Sequence, residues 1–127
     1  MTTAYWCVLA AILLPYATVG LAKWDRRYDN RLPRDWLASL EGRARRAFHA
    51  HQNHFEALPA FAAAVIIAHQ AHASRGWVDG LALAFIAFRL AYTWAYVADK
   101  ASLRSLLWFG GLACVIGLFL AASAARG

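Results

Sequence analysis

Polar side chains suited to binding or proton transfer interrupt one of the apolar stretches of this sequence. The run 48–56 reads Phe-His-Ala-His-Gln-Asn-His-Phe-Glu, and Pro59 follows it. At 100° per residue, one helix face gathers four of these side chains: His49, Gln52, Asn53 and Glu56. His51 and His54 are predicted to lie on another side. Ionisable groups inside a hydrocarbon environment are costly, so their presence indicates either a functional site or a polar contact between helices.

A second apolar stretch carries a matching set of polar residues. Spacing of i, i+3, i+4 and i+7 places four side chains on one helix face: Arg89, Tyr92, Thr93 and Tyr96. At 1.5 Å per residue, Arg89 and Glu56 both lie roughly 14–15 Å from the same end of their stretches. Because an unpaired charge at that depth is strongly unfavourable, we predict an ion pair between Glu56 and Arg89.

The same register places Asn53 beside Tyr92 and His49 beside Tyr96, which gives a polar seam between two helices. Two interpretations of the seam stay open. It is a functional site, or it is a set of polar contacts that only holds the helices together.

Four apolar stretches position these residues, at roughly 4–22, 47–73, 77–98 and 103–124. Each reaches the ~20 residues that a helix needs to cross a hydrocarbon core of ~30 Å. The chain is 61% hydrophobic and 16% charged, whereas a soluble domain carries about 25% charged residues. The sequence therefore predicts an all-α membrane protein, with four transmembrane helices in a single domain over residues 1–127.

The basic residues predict the orientation of the chain in the membrane. Of 13 Lys and Arg residues, eight lie between Lys23 and Arg46, and Lys100 and Arg104 lie near the third connection. The opposite connection carries Arg75 alone. Because cytoplasmic loops are rich in Lys and Arg, we expect both basic loops in the cytoplasm and both termini on the other side. A basic cluster confined to such a loop predicts no nucleic-acid partner.

Cysteine and histidine spacing does not predict a metal site. Cys7 and Cys114 both lie within apolar stretches, which is typical of small buried side chains. The histidine pairs 51/54 and 69/72 lie toward opposite ends of one helix, so the two pairs cannot share an ion.

Two motifs resemble those of a known family. The run 46–61 looks like the second-helix motif of the MAPEG family, the membrane-associated proteins in eicosanoid and glutathione metabolism. In this run the motif residues are Asn53, Glu56, Pro59 and Phe61. The run 89–105 is similar to the second signature of the family. The resemblance covers nearly the whole chain.

The resemblance implies a left-handed four-helix bundle assembled as a homotrimer, with glutathione bound near the cytoplasmic side between subunits. It implies that Arg104 stabilises the glutathione thiolate, with Ser105 beside it and Tyr96 close by. If glutathione binds there, we expect the residues around it to be His49, Asn53, Glu56, Arg89 and Tyr92. The chain looks closest to the bacterial members of the family. The resemblance therefore implies an integral protein of a bacterial inner membrane.

Two functions follow from the resemblance. The first is a glutathione-dependent transferase or peroxidase that acts on lipophilic electrophiles reaching it from the membrane, and Arg104, Ser105 and Tyr96 favour it. The second is a non-catalytic membrane scaffold or lipid-binding protein. Glutathione-using members carry arginines where this chain has His49 and Gln52, and this difference favours the second function.

The orientation can be tested with a reporter fused after Gly127 that is active only in the cytoplasm. We expect the fusion to stay silent, because the positive-inside rule puts the C-terminus on the opposite side. The same reporter inserted in the loop before Arg46 should be active. A strong signal from the C-terminal fusion would contradict the predicted orientation.

Overall fold

The computed structural model of this protein describes residues 1–24 and 27–125, and those residues form five helices without a strand. The helices are α1 (Thr3–Ala22), α2 (Pro33–Ala38), α3 (Gly42–Gln70), α4 (Arg75–Val97) and α5 (Ala101–Ala124). In the bundle, α3 and α4 pack against each other, α1 packs against both, and α5 packs on their other side.

Polar contacts tie the start of α1 to the end of α3 and the start of α4. The Ala4 amide donates to Asp79 Oδ1 at 2.8 Å. This carboxylate accepts one of the amides that the first turn of a helix leaves without a partner. The ring of Tyr5 stacks on that of His69 with centroids 4.2 Å apart. These contacts fix α1 antiparallel to α3 at this end of the bundle.

A different contact joins α3 and α4 at the opposite end. The Arg46 guanidinium donates through Nε and Nη2 to the Val97 carbonyl, at 3.3 and 3.2 Å. This carbonyl belongs to the last turn of α4, where the helix offers no amide. Ala22, Leu37 and Ala47 form a small apolar cluster nearby, which packs α2 against the bundle.

Small side chains fill most of the main core around one aromatic pair. Phe61 of α3 stacks on Phe85 of α4, with centroids 3.9 Å apart and an interplanar angle of 7°. The other core residues include Ala4, Cys7, Ala11, Ala64, Ala68, Ala82 and Cys114. Small residues let helix axes approach closely. Cys7 and Cys114 are buried and free, as their positions predict.

The outer surface of the bundle is rich in large apolar side chains. At least half of each of the following is exposed: Leu13, Tyr16, Leu21, Leu83, Leu90, Trp94, Leu106, Phe109 and Leu120. Soluble monomers rarely expose apolar patches of this extent. In the described part of the chain, α1, α4 and α5 are long and apolar enough to cross a membrane. The protein is therefore an integral membrane protein.

The remaining long helix, α3, differs from the other three. It has 29 residues, but arginines, histidines, Asn53 and Glu56 crowd its first half and reduce its hydropathy. It begins at Gly42 rather than at the predicted residue 47, because Arg and Ala are strong helix formers even where they are not apolar. It ends at Gln70 rather than at residue 73.

The sequence analysis did not predict α2. Its start is marked by Pro33, which is well suited to the first turn of a helix. The other predicted stretches lie within two residues of α1, α4 and α5. The sequence analysis also predicted the side of the membrane on which Gly127 lies. That residue is outside the described part of the chain.

Close packing of α4 on α5 can be tested at Gly110. A Cβ at this position would lie 2.5 Å from Phe88 Cε1. We expect Gly110→Ala to destabilise the protein by about 1–3 kcal/mol, because overpacking outweighs the gain in helix propensity. Thermal unfolding in detergent measures the change.

Gly80→Ala is the matched control, since nothing lies within 4 Å of a Cβ there. That variant should be neutral or slightly stabilised. A second change, Phe88→Leu, should recover part of the stability lost in Gly110→Ala. Equal effects of the two glycine substitutions would contradict the proposed close approach of α4 and α5.

Candidate functional site

The guanidinium of Arg89 lies at the centre of the polar residues between α3 and α4. Arg89 is 3% exposed. Its Nε and Nη2 lie 3.2 and 2.9 Å from His54 Nδ1, and Nη2 also donates to Asn53 Oδ1 at 3.0 Å. Its Cζ lies 4.3 Å from the centroid of the Tyr92 ring. Neutral acceptors and the π face of an aromatic ring therefore surround a buried charge.

The predicted ion pair between Glu56 and Arg89 is wrong. The two side chains form no contact within the 4.0 Å limit of a salt bridge. Glu56 instead accepts a hydrogen bond from Asn53 Nδ2 at 2.8 Å. Because the carbonyl of the same amide faces the guanidinium, Asn53 lies between the two charges and contacts both.

The sequence analysis placed His54 on a different side of α3 from Glu56 but did not predict that His54 contacts α4. His54 faces α4 and is 2% exposed, and its Nε2 lies 2.8 Å from Thr93 Oγ1. The long side chain of Arg89 reaches past the Asn53 face of α3 to the next side of the helix. His51 does point elsewhere, since its Nδ1 donates to the Pro15 carbonyl of α1 at 2.7 Å.

Aromatic rings connect Arg89 to a second arginine. The ring of Tyr92, which lies under Arg89, is 5.6 Å from the ring of Tyr96. Arg104 places its Cζ 4.5 Å from the centroid of Tyr96. The order Arg89, Tyr92, Tyr96, Arg104 thus forms a continuous series of contacts along α4 to the start of α5. His49 lies against Tyr96 as predicted, with ring centroids 6.3 Å apart.

A cleft of about 250 Å³ brings together Arg104, Ser105 and Tyr96, the residues that the sequence analysis expected at the glutathione thiolate. Its lining consists of Tyr92, Tyr96, Arg104, Ser105, Trp108 and Phe109. Arg104 is half-buried, and the Ser105 hydroxyl donates to the Ala101 carbonyl at 3.2 Å. The cleft therefore offers a cation and a phenol at the end of the bundle where α5 begins.

An adjoining cavity of about 190 Å³ lies deeper, between α3, α4 and α5. Arg89, Asn53 and Glu56 form its polar part. Its apolar lining is Ala57, Ala60, Phe85, Gly111, Leu112 and Val115, together with Trp108. Trp108 lines both the cavity and the cleft, so the two spaces share this residue.

A comparison with models of protein families found a match over nearly the whole chain. The model of the MAPEG family matches residues 3–124. The match runs from the first residue of α1 to the last residue of α5. The chain belongs to the MAPEG family. Comparisons with curated proteins and with solved structures gave no match.

Within this MAPEG chain, the sequence analysis missed two residues of the site. His54 could have been found by counting hydrogen-bond acceptors. The N–H groups of a buried guanidinium point in several directions, and one carboxylate cannot accept from all of them. Trp108 carried no signal, since an aromatic residue near a span end is also typical of the membrane interface. In the described ranges, no three His, Cys, Asp or Glu side chains cluster as metal ligands.

The contacts of Asn53 and Glu56 predict which substitution on α3 lowers the free energy of unfolding more. Asn53→Leu removes an acceptor of Arg89 and the donor to Glu56, so we expect a loss of about 1–3 kcal/mol in the free energy of unfolding. Glu56→Gln keeps an oxygen for Asn53 and should cost at most about 1 kcal/mol. Denaturant unfolding in mixed micelles measures both.

Arg43→Ala is the control, because Arg43 is an exposed polar residue of α3 that makes no hydrogen bond to another described residue. It should be neutral. If Glu56 were paired directly with Arg89, its loss would cost about 3–5 kcal/mol. A larger effect of Glu56→Gln than of Asn53→Leu would contradict the indirect contact through Asn53.

Proposed function

We propose that this MAPEG protein is a glutathione-dependent transferase or peroxidase that acts on lipophilic electrophiles. One observation carries the proposal. A polar cleft with Arg104, Tyr96 and Ser105 adjoins an apolar cavity, and the two share Trp108. A charged thiol tripeptide and an apolar electrophile need such neighbouring spaces to react with each other.

Arg104 supplies the charge that thiol activation needs. A cation next to a thiol favours the thiolate, which is the nucleophilic form. A guanidinium keeps its charge in a partly buried position, whereas a lysine can lose its proton there. Contact with the Tyr96 ring at 4.5 Å orients the guanidinium without neutralising it. Tyr96 and Ser105 add hydroxyl groups close to the sulfur position.

The remainder of glutathione would extend from the cleft toward the polar part of the cavity. Five residues are proposed to line its path: His49, Asn53, Glu56, Arg89 and Tyr92. Arg89 offers donors to carbonyl or carboxylate oxygens, and Glu56 offers an acceptor to amide or amino groups. The tripeptide carries both kinds of group, so the residues present fit it.

The electrophile would reach the cavity from the bilayer. Phe85, Leu112 and Val115 give this space an apolar lining, which suits a lipophilic molecule. The exposed outer surfaces of α4 and α5 are apolar as well, so such a molecule would meet the protein without leaving the hydrocarbon region.

A homotrimer of left-handed bundles would explain the exposed polar face of α3. Gln52 and Glu56 are exposed in the single chain at a depth where charges avoid lipid. Ala60 and Ala63 continue the same exposed face, and small residues allow another helix to approach closely. With this face buried between subunits, α3 would form the fourth membrane span.

The proposed setting is a bacterial inner membrane with both termini on the non-cytoplasmic side. The cleft would then open toward the cytoplasm, at the end of the bundle that carries the basic loop. This position suits a water-soluble thiol that is abundant inside the cell.

The alternative is a non-catalytic scaffold or lipid-binding protein of the same fold. Its support is the presence of His49 and Gln52 where glutathione-using members carry arginines. Arg46 directs its Nε and Nη2 to the Val97 carbonyl, so part of its guanidinium already holds α3 to α4. Glutathione binding distinguishes the two functions.

Ultraviolet spectroscopy tests thiol activation without knowledge of the electrophile. A thiolate absorbs in the near ultraviolet, so the purified protein mixed with glutathione at neutral pH should show that band. Arg104→Leu should lose the band, because it removes the positive charge. Tyr96→Phe should reduce it less, since a neutral hydroxyl contributes less than a full charge.

Arg43→Leu is the control, because it removes an exposed arginine at the same end of the bundle but outside the cleft. That variant should keep the band. If the unmodified protein shows no band and calorimetric titration detects no glutathione binding, the enzyme proposal is wrong and the scaffold alternative stands.

A further inference from the structure

His54 is a buried side chain that contacts two nitrogens of the Arg89 guanidinium. It is 2% exposed, and Arg89 is 3% exposed. Its ring lies 6.2 Å from that of Tyr92, the residue over which the guanidinium lies. A histidine in such surroundings needs partners for both ring nitrogens.

The partners of His54 determine its protonation state. A guanidinium has donors only, and two of its nitrogens face His54 Nδ1, so Nδ1 must be the unprotonated acceptor. The proton of a neutral ring is then on Nε2, which donates to Thr93 Oγ1 at 2.8 Å. The Thr93 hydroxyl in turn donates to the Arg89 carbonyl at 3.0 Å. The direction of each hydrogen bond is therefore determined. The series runs from the Arg89 guanidinium through His54 and Thr93 to the Arg89 carbonyl.

These bonds leave one nitrogen of Arg89 for a ligand. Nε and Nη2 are used by His54 and Asn53. Nη1 donates to no acceptor in residues 1–24 or 27–125. Since no fully buried side-chain nitrogen or oxygen atom among those residues lacks a hydrogen-bond partner, Nη1 is not fully buried. Arg89 lines the cavity beside Glu56, and Nη1 is the one guanidinium nitrogen that the hydrogen bonds to His54 and Asn53 do not use.

We propose that His54 is a positioning residue, which holds Arg89 through Nε and Nη2 so that Nη1 points to a carboxylate or carbonyl oxygen of glutathione. This role rests on the proposed function. Neutral His54 suits it, because a carboxylate partner would neutralise the guanidinium and weaken its attraction for an anionic ligand. An imidazole orients the charge and leaves it intact.

Substitutions of His54 separate positioning from simple packing. His54→Leu keeps an apolar side chain but removes the acceptor, so the Kd for glutathione, measured by calorimetric titration, should rise about tenfold or more. His54→Asn keeps an acceptor oxygen near the place of Nδ1 and should stay within about threefold of the unmodified Kd. Thermal unfolding of each variant shows whether it is folded.

Rescue by Asn is the decisive result, since a packing role predicts that the smaller Asn is no better than Leu. Equal Kd values for the Leu and Asn variants, or no change in either, would overturn the proposal. If the Leu variant does not fold, the Asn variant alone decides, and a tenfold rise in its Kd for glutathione would overturn the role.

Nitrogen-15 NMR of the ligand-free protein tests the hydrogen-bond directions without glutathione. We expect an unprotonated Nδ1 and a protonated Nε2 on His54, and Thr93→Val should shift the Nε2 signal. A doubly protonated ring, or a proton on Nδ1, would overturn the proposal even if glutathione binds. If glutathione does not bind but the expected tautomer is found, the proposed function fails and the contact between His54 and Arg89 stands.

Discussion

Burial of the Arg89 guanidinium is the constraint on which the polar part of this bundle depends. A cation enclosed between two helices is strongly unfavourable unless its donors are satisfied. His54 and Asn53 of α3 supply the acceptors, and the ring of Tyr92 covers the guanidinium. These contacts determine the register of α3 against α4, and this register aligns the tyrosines of α4 with Arg104 of α5.

Because Arg89 contacts neutral groups, its positive charge remains available to attract an anion. With the carboxylate of Glu56 separated from it by an amide, the charge of Arg89 is not cancelled by direct pairing. Two arginines then lie along one series of aromatic contacts, one at the cavity and one at the cleft. A site with two available guanidinium groups and an apolar wall suits an anionic thiol that meets a lipophilic molecule.

The architecture could be predicted from sequence because hydropathy and helix length leave few alternatives for apolar stretches of this length. Helix faces were predicted from periodicity, and Tyr92, Tyr96 and His49 lie where it placed them relative to one another. The partner of Arg89 could not be predicted in this way. A helical wheel gives the direction of a Cβ, whereas a guanidinium at the end of a long side chain can pass Asn53 and reach His54. Trp108 was missed because its role depends on two spaces that exist only after α5 packs on α4.

Solid-state NMR of the labelled protein in lipid bilayers tests the account most directly, through the nitrogen dipolar contacts of the Arg89 guanidinium. The structure predicts a strong contact between Nη2 and His54 Nδ1, which are 2.9 Å apart. It also predicts a strong contact from Nη2 to the side-chain amide of Asn53, and only a weak one to the carboxyl carbon of Glu56. A strong contact with that carboxyl carbon and none with His54 would contradict the account.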